Sequence, residues 1–341
     1  MFQFAVIGVG NIGFRHAQLI QANPSAQLSA ICDVNPARLN EAHVVLNQNS
    51  LVTTTDFEEV LQIPEVQIIH ICTPNNLHAP MTIAALNAGK HVVCEKPMAL
   101  STRDCDAMIA AALNNNKYLF VVKQNRYNPP VVAVKQLLLK QGLGQIHQVV
   151  VNCFWNRNDA YYQKPSWRGT KKQDGGCLFT QFSHFIDILY YLTGDADCLS
   201  GYVQNATHQH SIEFEDSGAF LLKSHEQQAV ITVNFNIGAF GQNMEGSITL
   251  LGSEGAVKIG GQYLNTLDYW LVNNYPKPEL QTIVQQQAND YGSYKGSMSN
   301  HDKVIENVID TLLGRATIAT NGTEGRKIIE LIEKMYRSVA R

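Results

Sequence analysis

Short apolar runs alternate with helix-like stretches over the first 125 residues of the chain. Runs with the length of strands lie at 4–7, 28–32, 66–72, 90–94 and 118–122. They lack the regular alternation of a strand with one wet face, and such runs are typical of parallel strands covered by helices on both sides. The pattern therefore predicts an α/β domain with a doubly wound parallel sheet that binds ligands at the carboxyl ends of its strands.

The pattern changes near residues 123–128, where longer segments begin in which apolar and polar residues alternate. These segments are predicted strands at 146–155, 199–208, 218–223, 229–235, 244–251 and 256–259, and helices are predicted at 300–313 and 323–340. Alternating strands joined by short polar turns are typical of antiparallel sheets. We therefore predict a first domain over residues 1–125 and a second, α+β domain over 126–341 with a large, mostly antiparallel open sheet.

A glycine-rich turn follows the first apolar run. Gly8, Gly10 and Gly13 form a Gly-x-Gly-x-x-Gly motif that contains Asn11 and Ile12. Gly8 permits a tight turn, Gly10 lets the backbone approach a pyrophosphate, and Gly13 lets the next helix pack closely on the strand. The motif predicts a Rossmann-type dinucleotide-binding turn.

An acidic residue, Asp33, ends the second apolar run at the spacing where a carboxylate meets the adenosine ribose. This carboxylate would accept from the ribose hydroxyls and repel a 2'-phosphate. The sequence therefore predicts NAD, and not NADP, as the cofactor. Arg38, in the following helix, either lies over the adenine or faces solvent.

Polar residues follow the other predicted strands of the first domain at the same edge of the sheet. They include Thr73, Glu95, Lys96, Asn125 and Arg126, and Pro74 follows Thr73 at this edge. Lys96 comes directly after a buried strand, so its ammonium is expected to project towards the nicotinamide. The alternative is an ordinary surface lysine.

The segment 178–191 has the spacing of one amphipathic helix. Leu178, Phe182, Phe185 and Leu189 form an apolar stripe, and Thr180, His184, Asp187 and Tyr191 fall on another face. A histidine can take a proton from an alcohol near neutral pH, which a dehydrogenase needs when hydride leaves the same carbon. The alternative is a structural histidine paired with Asp187. A metal site at these two residues lacks further ligands, and no metal is predicted.

Aromatic and cationic residues are interleaved between positions 155 and 172. Tyr161, Trp167 and Arg168 belong to this stretch, which can stack a base and bind a diphosphate or carboxylate, or can be a solvated loop. His208 and His210 are predicted to be exposed at a strand edge. His70, inside an apolar run, is predicted to be buried with a hydrogen-bond partner.

Composition narrows the class of protein. The 341 residues carry a formal net charge of −3, and 45% of them are hydrophobic, so neither a nucleic acid nor an anionic membrane is an expected partner. No apolar run approaches the roughly 18 residues of a membrane span, and the first residues do not resemble a signal peptide. The seven cysteines are scattered without a Cys-x-x-Cys pair, which favours reduced thiols and a cytoplasmic location.

Four motifs together resemble the glucose-fructose oxidoreductase and inositol dehydrogenase (Gfo/Idh/MocA) family. They are the glycine turn, Thr73-Pro74-Asn75, Glu95-Lys96-Pro97, and Gly175-Gly176 followed by His184 and Asp187. The resemblance implies NAD(P)-dependent oxidation of a sugar or polyol hydroxyl, with Lys96 at the reacting hydroxyl and His184 as acid/base. Where many members have Asp four residues before that histidine, this chain has Thr180.

Further runs look like the UDP-N-acetyl-2-amino-2-deoxyglucuronate dehydrogenases. They are residues 120–126, 151–155, 161–162, 167–170 and 245–252. This resemblance implies oxidation of the sugar's 3-hydroxyl for bacterial surface-polysaccharide synthesis, a tetramer, and tightly held NAD that is sometimes recycled with 2-oxoglutarate. One alternative is a dehydrogenase of a free sugar or inositol. Another is an NAD-binding sensor or assembly protein without turnover.

Motifs and resemblance together give the candidate site. The residues assigned to the cofactor are Gly8, Gly10, Asn11, Ile12, Gly13, Asp33, Arg38, Thr73, Pro74, Asn75, His78, Glu95, Lys96, Pro97 and Arg126. The residues assigned to the substrate are Lys96, Asn125, Tyr161, Trp167, Arg168, Thr180 and His184, of which Lys96 and His184 are catalytic.

An oligomer is expected from the alternation in the second domain. Ile231, Val233 and Phe235 face one way, and the polar residues between them face the other. One face of the sheet covers helices, so the opposite face is available to a partner subunit. We therefore expect a homodimer or tetramer.

Overall fold

A computed structural model describes residues 1–163, 166–280, 288–290 and 295–339. The chain divides into two compact units, the first comprising Met1–Val122 and His301–Ile329 and the second Lys123–Asn300 and Glu330–Arg341. The predicted division after residue 125 lies close to the division after Val122. The segment His301–Ile329, which sequence analysis placed in the second domain, groups instead with the first unit.

The first unit contains a parallel sheet of six strands within its described residues, in the order β3-β2-β1-β4-β5-β6. The strands are β1 Phe2–Ile7, β2 Ala26–Cys32, β3 Val52–Thr54, β4 Ile68–Ile71, β5 His91–Cys94 and β6 Leu119–Val121. The central residues of β1, β4, β5 and β6 are almost fully buried, as the apolar runs predict, whereas the edge strand β3 is largely exposed. The order places β1 and β4 side by side where the chain reverses direction across the sheet, which is where such folds bind ligands. The predicted doubly wound fold is confirmed.

The helices of the first unit begin at residues that sequence patterns favour. They are α1 Asn11–Ala22, α2 Pro36–Leu46, α3 Phe57–Leu61, α4 His78–Asn87, α5 Thr102–Asn114 and α10 His301–Leu312, with α11 Gly322–Val339 continuing into the second unit. The Ser101 hydroxyl caps α5 by accepting from the Asp104 N–H at 3.1 Å. Residue 340, the last of the predicted terminal helix, lies outside the described residues.

The second unit contains a sheet of seven described strands in the order β13-β12-β11-β7-β10-β9-β8. The strands are β7 Ile146–Phe154, β8 Ala196–Gln204, β9 Ser217–Ser224, β10 Val230–Asn236, β11 Glu245–Gly252, β12 Gly255–Gly260 and β13 Thr266–Val272. Among these strands only β7 and β10 pair in parallel. The expected mostly antiparallel sheet is therefore confirmed.

One face of this sheet is buried and the other is partly exposed. In β10, Ile231, Val233 and Phe235 are at most 2% exposed, while the residues between them are half-buried. The helices of this unit are α6 Pro129–Leu139, α7 Asp159–Tyr162, α8 Cys177–Thr180 and α9 Ser183–Thr193, and a two-stranded ribbon joins β14 Ala288–Asp290 to β15 Lys295–Met298. The partly exposed face is the one that the alternation assigns to a partner.

Two further observations concern the cysteines and the helices. All seven cysteines are free, and six of them are buried. No helix in the described ranges combines the length and the apolar character needed to cross a bilayer.

Candidate functional site

The glycine turn of the first unit has no room for side chains at two of its positions. Gly8 has φ +84°, and a Cβ there would lie 2.7 Å from the Cys72 carbonyl oxygen. A Cβ on Gly13 would lie 1.7 Å from the Gly8 carbonyl oxygen, so strand and helix touch through this glycine. Gly10 is the N-cap of the twelve-residue helix α1, and its cap has no side-chain hydrogen bond among the described residues. The first N–H groups of α1 thus suit the pyrophosphate of a dinucleotide.

Asp33 lies beside this turn at the end of β2. Its Oδ2 accepts from the Val9 N–H and its Oδ1 from the Asn35 N–H, both at 2.9 Å, and the residue is 7% exposed. These two bonds fix the carboxylate and leave lone pairs for ribose hydroxyls. Nη1 of Arg38 approaches within 3.7 Å of the position that a Cβ on Gly10 would occupy. The residues present therefore fit NAD, with Arg38 next to the turn although largely exposed.

We expect Asp33→Asn to weaken NAD binding roughly 10- to 100-fold, since a hydrogen bond to a charged group contributes about 1.5–3 kcal/mol. Because the variant no longer repels a 2'-phosphate, the ratio of NADP to NAD affinity should rise. Nucleotide titrations followed by protein fluorescence measure both dissociation constants. Asp56→Asn, at the exposed N-cap of α3, is the matched control. An Asp33→Asn protein with the wild-type affinity ratio would contradict the ribose assignment.

His78 joins two loops at the carboxyl edge of the sheet. Its Nδ1 lies 2.6 Å from the Pro97 carbonyl oxygen and its Nε2 2.9 Å from the Thr73 carbonyl oxygen. Burial lowers the pKa of His78, while the two carbonyl contacts act in the opposite direction. Pro74 precedes the 3-10 turn Asn75–Leu77, and Asn75 is 4% exposed. His78 thus positions these loops from within the protein.

Glu95 holds the backbone of Lys96. The Lys96 N–H donates to Oε2 of Glu95 at 3.0 Å, and Nε2 of His16 lies 3.1 Å from Oε1. Burial by itself would raise the pKa of Glu95, but contacts with His16 and His301 hold it well below its ordinary value. Glu95 is 4% exposed, whereas Lys96 is half-buried. The carboxylate is therefore ionised and fixes the residue that carries the candidate catalytic ammonium.

Arg126 lies in the second unit, on the 3-10 turn Gln124–Tyr127, and pairs with Asp187. Its Nε donates to Oδ2 at 3.1 Å and its Nη2 to Oδ1 at 2.8 Å, and Lys123 Nζ lies 3.8 Å from Oδ1. All three residues are almost fully buried. Asp187, predicted to share a helix face with His184, is thus the counter-charge of two cations. The contribution of Arg126 to cofactor binding stays a prediction.

The predicted single helix over 178–191 is wrong. It is divided into α8 and α9, because the Phe182 N–H bonds to the Cys177 carbonyl oxygen five residues back and forms a wide turn. The Thr180 hydroxyl donates to a carboxylate oxygen of Asp174, which is fully buried. His184, on the first turn of α9, is 5% exposed. Sequence analysis missed Asp174, although it directly precedes the two glycines of the motif.

Three of the residues assigned to the substrate, together with Arg157, form a cluster that we call the guanidinium-aromatic cluster: Arg157, Tyr161, Trp167 and Arg168. The Cζ atoms of Arg157 and Arg168 lie 5.4 and 4.6 Å from the centre of the Tyr161 ring, and Arg168 also lies 5.4 Å from that of Trp167. Arg157 is 3% exposed and was not assigned by sequence analysis. The Trp155-x-Arg157 spacing could have indicated a contact between a guanidinium and an aromatic ring. In the structure Cζ of Arg157 lies 4.9 Å from the centre of the Trp155 ring.

His208 is buried and contacts the backbone of Arg157, so the prediction that it is exposed is wrong. It is 5% exposed, its Nε2 lies 2.6 Å from the Arg157 carbonyl oxygen, and its Nδ1 lies 3.2 Å from Oδ2 of Asp216. The predicted strand 199–208 ends earlier, at Gln204, and His208 lies in the turn that follows. His210 is exposed, as predicted.

Several buried polar atoms of the second unit have no hydrogen-bond partner among the described residues. They are the Tyr162 hydroxyl, Oε1 of Gln181, Oγ of Ser183 and Oδ1 of Asn125. Buried polar atoms are normally satisfied, so each such atom needs an explanation. Asn125 was assigned to the substrate, and the other three were not. A polar ligand with hydroxyl, amide and carboxylate groups is one explanation for such a set.

The 3-2-1-4-5-6 sheet, the glycine turn and Asp33 define an NAD-binding Rossmann domain, and the second unit carries histidine and guanidinium groups. Family models agree: residues 2–123 match the oxidoreductase family GFO_IDH_MocA, NAD-binding Rossmann fold, and residues 131–258 match the GFO/IDH/MocA C-terminal domain. The chain belongs to the Gfo/Idh/MocA oxidoreductase family. The predicted family and NAD-binding domain are confirmed.

Solved structures extend the similarity along the chain. The WlbA dehydrogenase of Bordetella pertussis, crystallised with NADH and UDP-GlcNAcA, is 32% identical with a TM-score of 0.86, over 99% of this chain and 96% of that one. The WlbA dehydrogenase of Chromobacterium violaceum, with the same ligands, is 34% identical with a TM-score of 0.87, over 99% and 93% of the two chains.

Curated relatives are more distant. The inositol 2-dehydrogenase of Rhizobium meliloti is 24% identical over 99% of this chain and 97% of its own length. The chain spans about half the length of the first curated relatives it matches. The relatives therefore include dehydrogenases of both nucleotide-linked and unlinked substrates.

Proposed function

We propose that this protein is an NAD-dependent 3-dehydrogenase of a UDP-linked N-acetylated uronic acid. The observation that carries the proposal is the guanidinium-aromatic cluster in a family whose full-length neighbours include two enzymes crystallised with UDP-GlcNAcA. Such a substrate combines a diphosphate, a carboxylate and a base. A planar guanidinium binds phosphate or carboxylate in a bidentate manner, and aromatic faces stack on bases.

A neutral polyol fits the second unit less well. Arg157 lies 3% exposed between two aromatic rings, and its Nη1 donates to the Asn156 carbonyl oxygen at 2.6 Å and to Oδ1 of Asn243 at 3.2 Å. These bonds hold the guanidinium in one orientation. A rigid cation of this kind favours an anionic ligand, because little conformational entropy is lost when the ion pair forms. Inositol and free neutral sugars offer no such anion.

In the proposed reaction the bound NAD accepts a hydride from the sugar carbon. Lys96 orients the reacting hydroxyl and stabilises the charge that develops on its oxygen. His184 removes the hydroxyl proton, which an imidazole can do near neutral pH. The hydrogen bond from the Lys96 N–H to Glu95 fixes the backbone from which the lysine side chain extends.

Thr180 modifies the proton chemistry of this chain within the family. Where many members are expected to have Asp, the Thr180 hydroxyl donates instead to the buried carboxylate of Asp174, and Oδ2 of Asp174 accepts from the Gly169 N–H at 2.8 Å. The carboxylate that many members would have at position 180 is thus replaced by that of Asp174, which contacts position 180 through the Thr180 hydroxyl. We propose that Thr180 and Asp174 together take the place of that aspartate.

A substrate panel tests the proposed function. Purified protein is incubated with NAD and UDP-GlcNAcA, with UDP-GlcNAc, which lacks the carboxylate, with the unlinked uronic acid, and with myo-inositol. Mass spectrometry detects the ketone, with and without 2-oxoglutarate to reoxidise the cofactor. We expect kcat/KM for UDP-GlcNAcA to exceed that for each analogue by at least about tenfold, as loss of a charged contact implies.

Two results would replace the proposal. Preferred oxidation of myo-inositol or a free sugar would identify a dehydrogenase of unlinked substrates. Bound NAD without oxidation of any panel member would favour a sensor or assembly protein. Arg168→Gln should raise KM for the nucleotide sugar, while Arg315→Gln, an exposed arginine of the first unit, is the matched control.

We also propose a homodimer or tetramer built on the partly exposed face of the second unit's sheet. Tyr202, Tyr269 and Leu271 are apolar residues of this sheet that are each at least 49% exposed, and their burial by a partner would be favourable. Light scattering at working concentration tests the assembly. A monomer mass would remove it. The cytoplasmic location and a contribution to surface-polysaccharide synthesis are proposed with the same function.

A further inference from the structure

A buried cluster of three imidazoles and one carboxylate lies inside the first unit. It consists of His16 on α1, His70 on β4, Glu95 after β5, and His301, the first residue of α10. All four residues are at most 4% exposed. The three histidines have no place among the residues assigned to the cofactor or the substrate.

The ligand atoms of three of these residues have the spacing of a coordination site. Oε1 of Glu95 lies 3.1 Å from Nε2 of His16 and 3.5 Å from Nε2 of His301, and the three residues offer ligand atoms within 4.8 Å of one another. Bonds of about 2.0 Å at tetrahedral angles place neighbouring ligand atoms about 3.3 Å apart. The two distances from Glu95 lie on either side of this value.

His301 supplies an independent reason to place an ion here. Neither of its ring nitrogens has a hydrogen-bond partner with acceptable geometry among the described residues, although the side chain is 1% exposed. An imidazole buried in this way normally bonds through at least one nitrogen. Nε2 lies 3.5 Å from Oε1 of Glu95, a separation at which both atoms can bind one ion.

The orientation of His16 is fixed from its other nitrogen. Its Nδ1 lies 2.7 Å from Nδ1 of His70, so one ring donates to the other. Metal-binding histidines almost always donate their second nitrogen to a neighbouring group, which sets the tautomer and leaves the other nitrogen for the metal. With Nδ1 of His16 as the donor in the metal-bound form, Nε2 has a lone pair available for the ion in place of its contact with Glu95.

We propose that His16, Glu95 and His301 bind one divalent transition-metal ion of the zinc class. Two imidazoles and a carboxylate suit such an ion, whose fourth position water would take. The ion would also balance the negative charge of the buried Glu95 carboxylate. It would join α1, the loop before Lys96 and α10, and so stabilise the first unit.

Metal analysis of the full-length protein tests the site. The protein is stripped with a chelator, dialysed against zinc sulfate, and dialysed again against metal-free buffer before zinc is counted by mass spectrometry. We expect about one zinc ion per chain, and a rise in thermal midpoint of roughly 5 °C at 100-fold excess over the dissociation constant. When cobalt replaces zinc in the wild-type protein, we expect the visible absorption of a four-coordinate ion. This measurement needs no variant.

Variants connect the ion to the cluster. His301→Asn and Glu95→Gln should each retain less than about a tenth of the wild-type zinc, while His147→Asn, at an exposed position of β7, should retain all of it. Circular dichroism shows whether each variant is folded. If a variant does not fold, the cobalt spectrum of the wild-type protein still tests the site. No retained zinc and no cobalt band in the wild type would overturn the proposal. Full zinc retention by folded His301→Asn would do the same, because the ion would then lie elsewhere. These measurements use no sugar and leave the proposed function untouched.

Discussion

Lys96→Met should lower kcat for UDP-GlcNAcA oxidation by at least about 100-fold, equivalent to about 2.7 kcal/mol of transition-state stabilisation. In the proposed reaction the ammonium donates to the reacting oxygen and stabilises the negative charge that develops as the proton leaves. Methionine retains the unbranched stem of a half-buried side chain but provides no donor. The backbone N–H that donates to Glu95 at 3.0 Å is unchanged, so the loop should keep its conformation.

Steady-state rates and NAD titrations measure this effect separately from folding. Lys140→Met, at an exposed position where α6 ends, is the matched control and should leave kcat unchanged. We expect the Lys96→Met protein to bind NAD within a few-fold of the wild type, because the residues assigned to the pyrophosphate and the ribose lie in the glycine turn and at Asp33. A variant with normal NAD occupancy and a rate within tenfold of the wild type would remove Lys96 from the chemistry.

His184→Asn should lower kcat by a similar factor, about 100-fold or more, because an amide cannot accept the hydroxyl proton near neutral pH. Asparagine occupies similar space on the first turn of α9, where the residue is 5% exposed. In the wild type the rate should fall at acidic pH as the imidazole becomes protonated and loses its lone pair. The variant should lack this acidic limb.

The pH profile distinguishes the two catalytic roles. His210→Asn, at an exposed position, should keep both the rate and the acidic limb. A His184→Asn enzyme that retained nearly full rate and the limb, together with a Lys96→Met enzyme that lost both, would reverse the assignment. The lysine would then be the base, and His184 a positioning residue.

Local patterns predicted the architecture of the first unit because they follow from short-range physics. A parallel strand covered on both sides must be apolar throughout, so the runs before Asp33 and before Lys96 could be identified directly. The glycine motif was equally readable, since Gly8 needs a positive φ and Gly13 a missing side chain. The hydrogen bond from Val9 to Asp33 connects two strand ends that parallel pairing brings together.

The partners of buried charges could not be predicted in the same way. Asp187 pairs with Arg126, 61 residues away, although its helical spacing suggested His184. His208 is buried by its contact with the Arg157 backbone, and Thr180 bonds to Asp174 because a wide turn interrupts the predicted helix. Each outcome depends on which polar atom lies nearest once the elements are packed. The spacing of apolar and polar residues along a helix or strand does not contain this information.

The sequence by itself determined most strands of the two sheets, the glycine turn, the acidic residue that ends β2 and the place of Lys96 directly after a buried strand. Only the tertiary structure showed that His301–Ile329 belongs to the first unit, where His301 lies close to His16 and Glu95. The physical reason is the range of the interactions. The spacing of buried residues and the residue preferences of turns depend on a few neighbouring residues. A buried carboxylate, by contrast, bonds to groups that are distant in sequence and become neighbours only when the elements pack.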